Sequence, residues 1–190
     1  MIPAMTGDPL GVPSPWVRRF AHLVPAGGPV LDLAAGGGRH TRFFLARGHA
    51  VLAVDRTLDG MAGLDGAELL RADLEADLED GSPWPIGARR FAGIVVTNYL
   101  HRPLLPLLAA ALAPGGALLY ETFAEGQARF GRPSCADYLL RPHELLDAFR
   151  PASLAPGLTV VAYEHGIDYR PQPAAVQRIA AVADRTLVPL

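Results

Sequence analysis

Apolar residues along this chain fall into two alternating patterns: short continuous runs bounded by glycine, proline or an acid, and stretches where they recur at helical spacing. SPWVRRFAHLV (14–24) is helical, with Trp16, Phe20 and Leu23 on one face and Ser14 as cap. PVLDLA (29–34) predicts the first strand, and GRHTRFFLARG (38–48) a helix that ends at Gly48, as a left-handed cap requires. AVLAVD (50–55) and AELLRAD (67–73) predict the second and third strands. An acidic, proline-broken connector (75–90) leads to a fourth strand, FAGIVVTN (91–98). The helix RPLLPLLAAAL (102–112) and the fifth strand GALLYETF (116–123) follow. Beyond a helix RPHELLDAF (141–149), the pattern changes. LTVVAYEHGIDY (158–169) and AAVQRIAAVAD (174–184) are extended runs joined by a short proline-containing link, which predicts an antiparallel pair at the sheet's edge.

Strand and helix in close alternation mean a mostly parallel sheet covered by helices on both faces, an α/β protein. Residues 1–190 read as one domain without internal repeats, with a loosely packed tail at 1–15. Half of the residues are hydrophobic and 19% are charged, which excludes global disorder. A net charge of −2 argues against nucleic acid as a partner. All 17 basic residues are Arg, so Walker-type phosphate binding and Schiff-base chemistry, which need Lys, are excluded. Cys135 is the only cysteine, and a reducing compartment is expected. The first residues have neither the basic start nor the apolar core of a signal peptide, and no apolar run is long enough to span a membrane. A soluble, cytoplasmic protein is the expectation. The six histidines show no paired ligand spacing, so no metal is expected. Oligomeric state is open.

In such sheets ligands bind beyond the carboxyl ends of the strands, near the point where strand order reverses. Those ends carry Asp32 with Gly36 and Gly38, then Asp55, Asp73, Asn98 and Glu121. In VLDLAAGGGRHT (30–41) the acid stands before the glycines and Thr41 takes the place of a third fingerprint glycine, so a dinucleotide phosphate site is a poor fit. An acid ahead of a tight glycine turn suits a cofactor that carries a cation. Asp55 is placed to accept both hydroxyls of a ribose. Asp73 either accepts from the exocyclic amine of adenine or caps a turn. Arg56 either packs flat beside the adenine or stands in solvent.

Cation, ribose and adenine together describe S-adenosylmethionine, and the chain resembles the class I S-adenosylmethionine-dependent methyltransferases over nearly its whole length. VLDLAAGGGRHT is similar to the D-x-G-x-G-x-G loop of that family, with Asp32, Gly36 and Gly38 matching and Ala34 in place of the first glycine. Ala34 is small, but it asks for negative φ. VLAVDR resembles the ribose-binding segment, RADLE (with Asp73 and Leu74) the adenine edge, and LAPGGALLYETF the following turn and strand. YETFAEG and LLRPHELL resemble bacterial small-molecule enzymes of the tellurite-resistance and thiopurine type. The resemblance implies a Rossmann-like three-layer sandwich whose seven-stranded sheet ends in an antiparallel pair, the seventh strand inserted between its neighbours. It also implies S-adenosylmethionine as cofactor and Asp32, Ala34, Gly36, Gly38, Asp55, Arg56, Asp73, Leu74 and Asn98 as its contacts.

NYLHRPLLP (98–106) stands where class I enzymes place groups facing the substrate. It lacks the N-P-P-Y of enzymes that methylate nucleic-acid amines. His101 is either a general base or a helix-start histidine bonded to backbone, and Tyr99 either closes over the cofactor or packs. Residues 124–142 show no regular periodicity and are expected to form a lid, with Phe130, Tyr138 and Arg141 over a small, anionic substrate. The sequence thus reads as a small-molecule methyltransferase. The alternatives are a non-catalytic module that binds the same cofactor and, on the glycine turn alone, a dinucleotide-dependent oxidoreductase.

Overall fold

The computed structural model describes residues 11–76, 81, 83–150, 158–169 and 171–183. Most of the proposed tail, residues 77–80 and 82 of the acidic connector, and the final residue of the last extended run lie outside these. Helix α1 (Pro15–Phe20) begins at Ser14, whose hydroxyl accepts from the backbone N–H groups of Trp16 and Val17. It continues as a single 3-10 turn, Ala21–Leu23. Then come β1 (Val30–Leu33), α2 (Arg39–Leu45), β2 (Val51–Asp55), β3 (Ala67–Arg71), β4 (Phe91–Thr97), α3 (Leu104–Ala110) and β5 (Leu112–Phe123). Helix α4 (Glu144–Ala148), β6 (Thr159–Asp168) and β7 (Ala174–Val182) complete the described chain.

The seven strands lie in the order β3-β2-β1-β4-β5-β7-β6. β1 to β5 are parallel, whereas β7 runs antiparallel to both β5 and β6. The expected insertion of the last strand is therefore present. Strand order reverses between β1 and β4, which sets the ligand-binding edge at their carboxyl ends.

Alternate residues of each central strand face opposite helical layers. Val30, Val51, Val95, Leu119 and Ala180 pack with Trp16, Val17, Phe20 and Phe44, beneath α1 and α2. Leu31, Leu52, Ile94, Leu118, Tyr120 and Ile179 pack with Leu104, Leu108, Leu145 and Phe149, beneath α3 and α4. The indole of Trp16 also donates to the Ile179 carbonyl, tying α1 to β7 at 3.2 Å.

Several elements are a residue or more shorter than the sequence pattern, and two boundaries change the reading of particular residues. β3 ends at Arg71, so Asp73 lies past the strand rather than on its last position. β5 begins at Leu112, where the pattern placed a helix end, because Leu112 pairs with Phe91 before the register shift at Gly93. A side chain at Gly116 would put Cβ within 2.7 Å of the Phe91 carbonyl oxygen, so only glycine admits this close approach.

The segment 124–142 is not structureless, as its lack of periodicity suggested. Ala124 and Leu140 form a β-bridge, the Leu140 N–H donates to Phe123 and the Glu125 N–H to Leu140. Residues 125–139 thus form a compact loop with closed ends, containing 3-10 turns at Gln127–Arg129 and Ala136–Tyr138. Buried Gln127 fastens it: the amide oxygen accepts from the Ala175 N–H of β7 at 2.9 Å, and the amide nitrogen donates to the Arg132 carbonyl.

Candidate functional site

The turn between β1 and α2 is built on three left-handed residues, Ala34 (φ 53°), Gly36 (φ 56°) and Gly38 (φ 75°). The expectation of negative φ at Ala34 is incorrect. The reason lies in the neighbouring bonds. The Ala35 N–H donates to Val54 at 3.1 Å and the Gly36 N–H to the Asp55 carboxylate at 2.8 Å, so the chain must turn left-handed at once after β1. A single left-handed alanine costs about 1–2 kcal/mol, which these bonds offset. Ala34→Gly is therefore expected to leave unfolding stability within about 1 kcal/mol of the parent, the relieved strain balancing the freer unfolded chain. Ala34→Val, β-branched in the same conformation, is expected to cost more than about 2 kcal/mol in a urea titration.

The loop is packed tightly from behind. A Cβ at Gly60 would stand 3.0 Å from the Gly37 Cα, and one at Gly38 would stand 2.6 Å from Leu64 Cδ1. A Cβ at Gly36, in contrast, would meet nothing within 4 Å, so the turn is unobstructed at that residue. Arg42 donates to the Gly37 carbonyl at 2.5 Å. Gly60 and Arg42 carry no motif of their own and were not read from the sequence.

Asp32 does not present its carboxylate to the cleft as a free anion. It is 1% exposed, and its Oδ2 accepts from the Thr41 hydroxyl at 2.6 Å. Burial raises its pKa to about 6, against the bonds to Thr41 and the nearby Arg39 charge, which lower it. The sequence did not show this because an acid inside VLDL gives no sign of which sheet face it meets; here both faces are covered. Thr41, noted only as a missing glycine, is the partner that makes the burial tolerable.

Asp55, by contrast, stands at the end of β2 and is partly exposed. Besides the bond to Gly36, its Oδ1 accepts from the Thr57 N–H at 3.0 Å, so the carboxylate is aligned from both sides and retains free lone pairs. Exposed Asp73 caps a turn, its Oδ1 accepting from the N–H groups of Glu75 and Ala76, both at 3.3 Å. Of the two readings offered for this residue, the cap is present. Leu74 is buried in the main core, so only its backbone is near the cleft. Arg56 is exposed, and its carbonyl accepts from Arg71.

Asn98 lies one residue past the end of β4, with φ 56° and its N–H donating to Glu121 at 3.0 Å. Tyr99 is half-buried; burial, then the carboxylates of Glu75, Asp73 and Asp55, hold its phenol well above the usual range. A phenol so shifted stays protonated at neutral pH and acts as a hydrogen-bond donor, not a base. The Tyr99 carbonyl accepts from the Tyr120 hydroxyl at 2.9 Å. The His101 Nε2 is buried and has no hydrogen-bond partner among the described residues. The reading that bonds it to backbone through this nitrogen is not supported.

Phe130 is 38% exposed on the loop, and Tyr138 is partly exposed. The Arg141 side chain is exposed and stands 3.5 Å from the Glu144 carboxylate, so its charge faces an acid rather than an open anion site. Across the sheet from Asn98, Glu121 accepts from Arg178 at 2.9 Å, and the same guanidinium also pairs with Glu164 and Asp168. Arg39, at the start of α2, donates to the Thr97 hydroxyl at 3.3 Å. Among the described residues, no cluster of three or more metal-ligating side chains occurs, and no helix is long and apolar enough to cross a membrane.

Comparison with known proteins finds no matching family model and no matching curated protein. Solved structures do match. TehB from Haemophilus influenzae superposes with a TM-score of 0.66 at 16% identity, over 88% of this chain and 60% of that one. The chain thus spans less than two thirds of TehB. The glycopeptide N-methyltransferase MtfA, solved with S-adenosylhomocysteine, matches with a TM-score of 0.57 at 20% identity over 94% of both chains. The 1,6-didemethyltoxoflavin-N1-methyltransferase of Burkholderia thailandensis, solved with its substrate and S-adenosylhomocysteine, matches with a TM-score of 0.61 at 20% identity, over 93% of this chain and 79% of that one. The chain has the fold of these methyltransferases. Its antiparallel β7 sets it apart from the 3-2-1-4-5-6 order of dinucleotide-binding folds.

Proposed function

We propose that this protein transfers a methyl group from S-adenosylmethionine to a small-molecule acceptor. The observation that carries the reading is Asp55: an aligned, partly exposed carboxylate at the end of β2, bonded to the glycine turn at the point where strand order reverses. It fits the two hydroxyls of a ribose, while the unobstructed face of Gly36 admits the ligand's close approach. The neighbouring structures solved with S-adenosylhomocysteine support the same assignment.

The cofactor's sulfonium supplies an already activated methyl group, so the chain's task is to align, enclose and, where the acceptor requires it, remove a proton. Asp55 holds the ribose. Asp73 and the backbone at Leu74 border the adenine, Arg56 flanks it, and Ala34, Gly36, Gly38 and Asn98 line the remaining contacts. Asp32 acts from beneath the turn, held by Thr41, rather than by touching the cation. Tyr99 donates a hydrogen bond, and His101 is the proton acceptor, since its buried Nε2 is left without a partner by the described residues. The protein works as a soluble cytoplasmic enzyme on a small acceptor, not on nucleic acid.

Incubation with methyl-labelled S-adenosylmethionine and a deproteinised metabolite extract is expected to move label from the cofactor into a different small molecule, separable by chromatography, with S-adenosylhomocysteine released, and His101→Ala to suppress that transfer. Cofactor binding without transfer to any acceptor would favour the non-catalytic module instead.

A further inference from the structure

The 125–139 loop has two independent fastenings. Gln127 ties its first half to β7. Its second half is held by a residue outside it: Arg102 donates from Nη1 to the Asp137 carbonyl at 2.7 Å and from Nη2 to the Leu139 carbonyl at 2.9 Å. These two bonds bracket Tyr138. The same guanidinium grips Glu144 at the start of α4 through Nε and Nη2, at 2.6 and 3.0 Å, in the forked geometry that Arg alone provides. Glu144 is also engaged by the Arg141 N–H at 2.8 Å. Arg102 follows His101 directly in the chain, and the Tyr120 hydroxyl fixes the carbonyl of Tyr99 in the same stretch. The second half of the loop is therefore held from the β4–α3 connection in addition to the closure at its own ends.

We propose that Arg102 is a positioning residue that holds the 125–139 loop closed against the β4–α3 connection at the carboxyl edge of the sheet, making Tyr138 a wall of the nucleoside pocket. The electrostatic surroundings of the two tyrosines agree. The Tyr138 phenol is raised first of all by the Glu75 carboxylate and opposed by Arg56, and both of these groups also act on Tyr99. Tyr99 and Tyr138 thus feel the same acid and the same cation, and the Arg102 bonds to the Asp137 and Leu139 carbonyls hold Tyr138 beside the segment that follows β4, at the sheet edge where an adenosine would lie. On this assignment Tyr138 serves the cofactor rather than the acceptor, and Phe130, exposed on the other half of the loop, is left for acceptor contacts. The inference rests on the proposed adenosyl cofactor.

The sequence supplies a direct probe of closure. The chain has no Lys, and within 125–139 the Arg132 bond precedes proline, so trypsin can cut the loop only after Arg129. In the parent, S-adenosylhomocysteine is expected to slow that cut. Arg102→Gln is expected to speed it at least about fivefold without ligand, to weaken S-adenosylhomocysteine about tenfold and to abolish the protection, with Arg102→Lys partly restoring all three. Tyr138→Ala is expected to weaken S-adenosylhomocysteine by about fivefold or more at an unchanged melting temperature, since a ring on a base face is lost and no core is opened. The inference is overturned if Arg102→Gln cuts at the parental rate, or if Tyr138→Ala binds S-adenosylhomocysteine as the parent does. A parent that binds no S-adenosylhomocysteine refutes the proposed cofactor, whereas the ligand-free cutting rates still judge the hold of Arg102. Should Arg102→Gln fail to fold, Glu144→Gln, which spares the two carbonyl bonds, is expected to cut only slightly faster than the parent. A rate in Glu144→Gln equal to that of an open loop contradicts the proposal.

Discussion

Asp55→Ala is expected to lower the affinity for S-adenosylhomocysteine ten- to a hundredfold while the far-ultraviolet spectrum stays that of the parent. The carboxylate sits at the end of a buried strand but is itself partly exposed, so its removal opens no cavity. What would be lost is hydrogen bonding from the ribose hydroxyls to a charged acceptor, worth about 1.5–3 kcal/mol net of water, a factor of about ten to a hundred. The Gly36 and Thr57 N–H groups, which Asp55 now holds at 2.8 and 3.0 Å, turn to water instead, and the glycine turn loosens. Asp55→Asn keeps the acceptor oxygen but drops the charge and is expected to fall between the two. Calorimetry on the three proteins checks the order. Equal affinity in parent and Asp55→Ala rules out the ribose assignment.

The second large effect is on stability against pH, where two buried groups beside the turn act in opposite senses. His40 is 1% exposed, and its Nε2 accepts from the Ser14 N–H at 3.1 Å; burial, followed by the Arg39 charge, lowers its pKa to about 3. Its folded value lies below the unfolded one of 6.5, so its contribution is complete above that pH and is lost as pH falls toward 3, a loss on the order of 5 kcal/mol. Asp32 does the reverse. Its folded value of about 6 lies above the model-peptide 3.8, so its contribution is complete below the lower value and is lost as pH rises through the upper, about 3 kcal/mol in all. Between pH 4 and 6 the two nearly cancel. Each single substitution unmasks the other. Relative to the parent, His40→Gln gains stability as pH drops from 6 to 4, and Asp32→Asn loses it over the same range. Urea midpoints measured across that range test both signs, and parallel curves for all three proteins would show that neither group is held as described.

The order of elements and the antiparallel closing pair were legible because continuous apolar runs mark buried strands whatever surrounds them, and because the link between β6 and β7 is too short for a crossover, whereas the insertion of the last strand between its neighbours followed from the family resemblance alone. The Ser14 cap and the left-handed Gly48 were legible for the same reason: each answers to a local rule. The misreadings arose where distant residues decide local geometry. Ala34 turns left-handed because Val54 and Asp55 hold the next two N–H groups, against the residue's own preference. The 125–139 loop shows no period because its order comes from Gln127 on Ala175 and Arg102 on Asp137 and Leu139, contacts 48, 35 and 37 residues apart. The burial of Asp32 was hidden too, since the sequence cannot say that Thr41 folds back over it from α2. The carboxylates at the strand ends were thus legible by position, whereas their exposure, on which the proposed division between Asp55 as contact and Asp32 as support rests, required the structure.

The account stands or falls on the adenosyl cofactor, and titration calorimetry of the unmodified protein tests it most directly. Saturable one-to-one binding of S-adenosylhomocysteine, tighter than that of adenosine and absent for a nicotinamide dinucleotide, is the predicted result. Saturable binding of the dinucleotide with none of S-adenosylhomocysteine would contradict it.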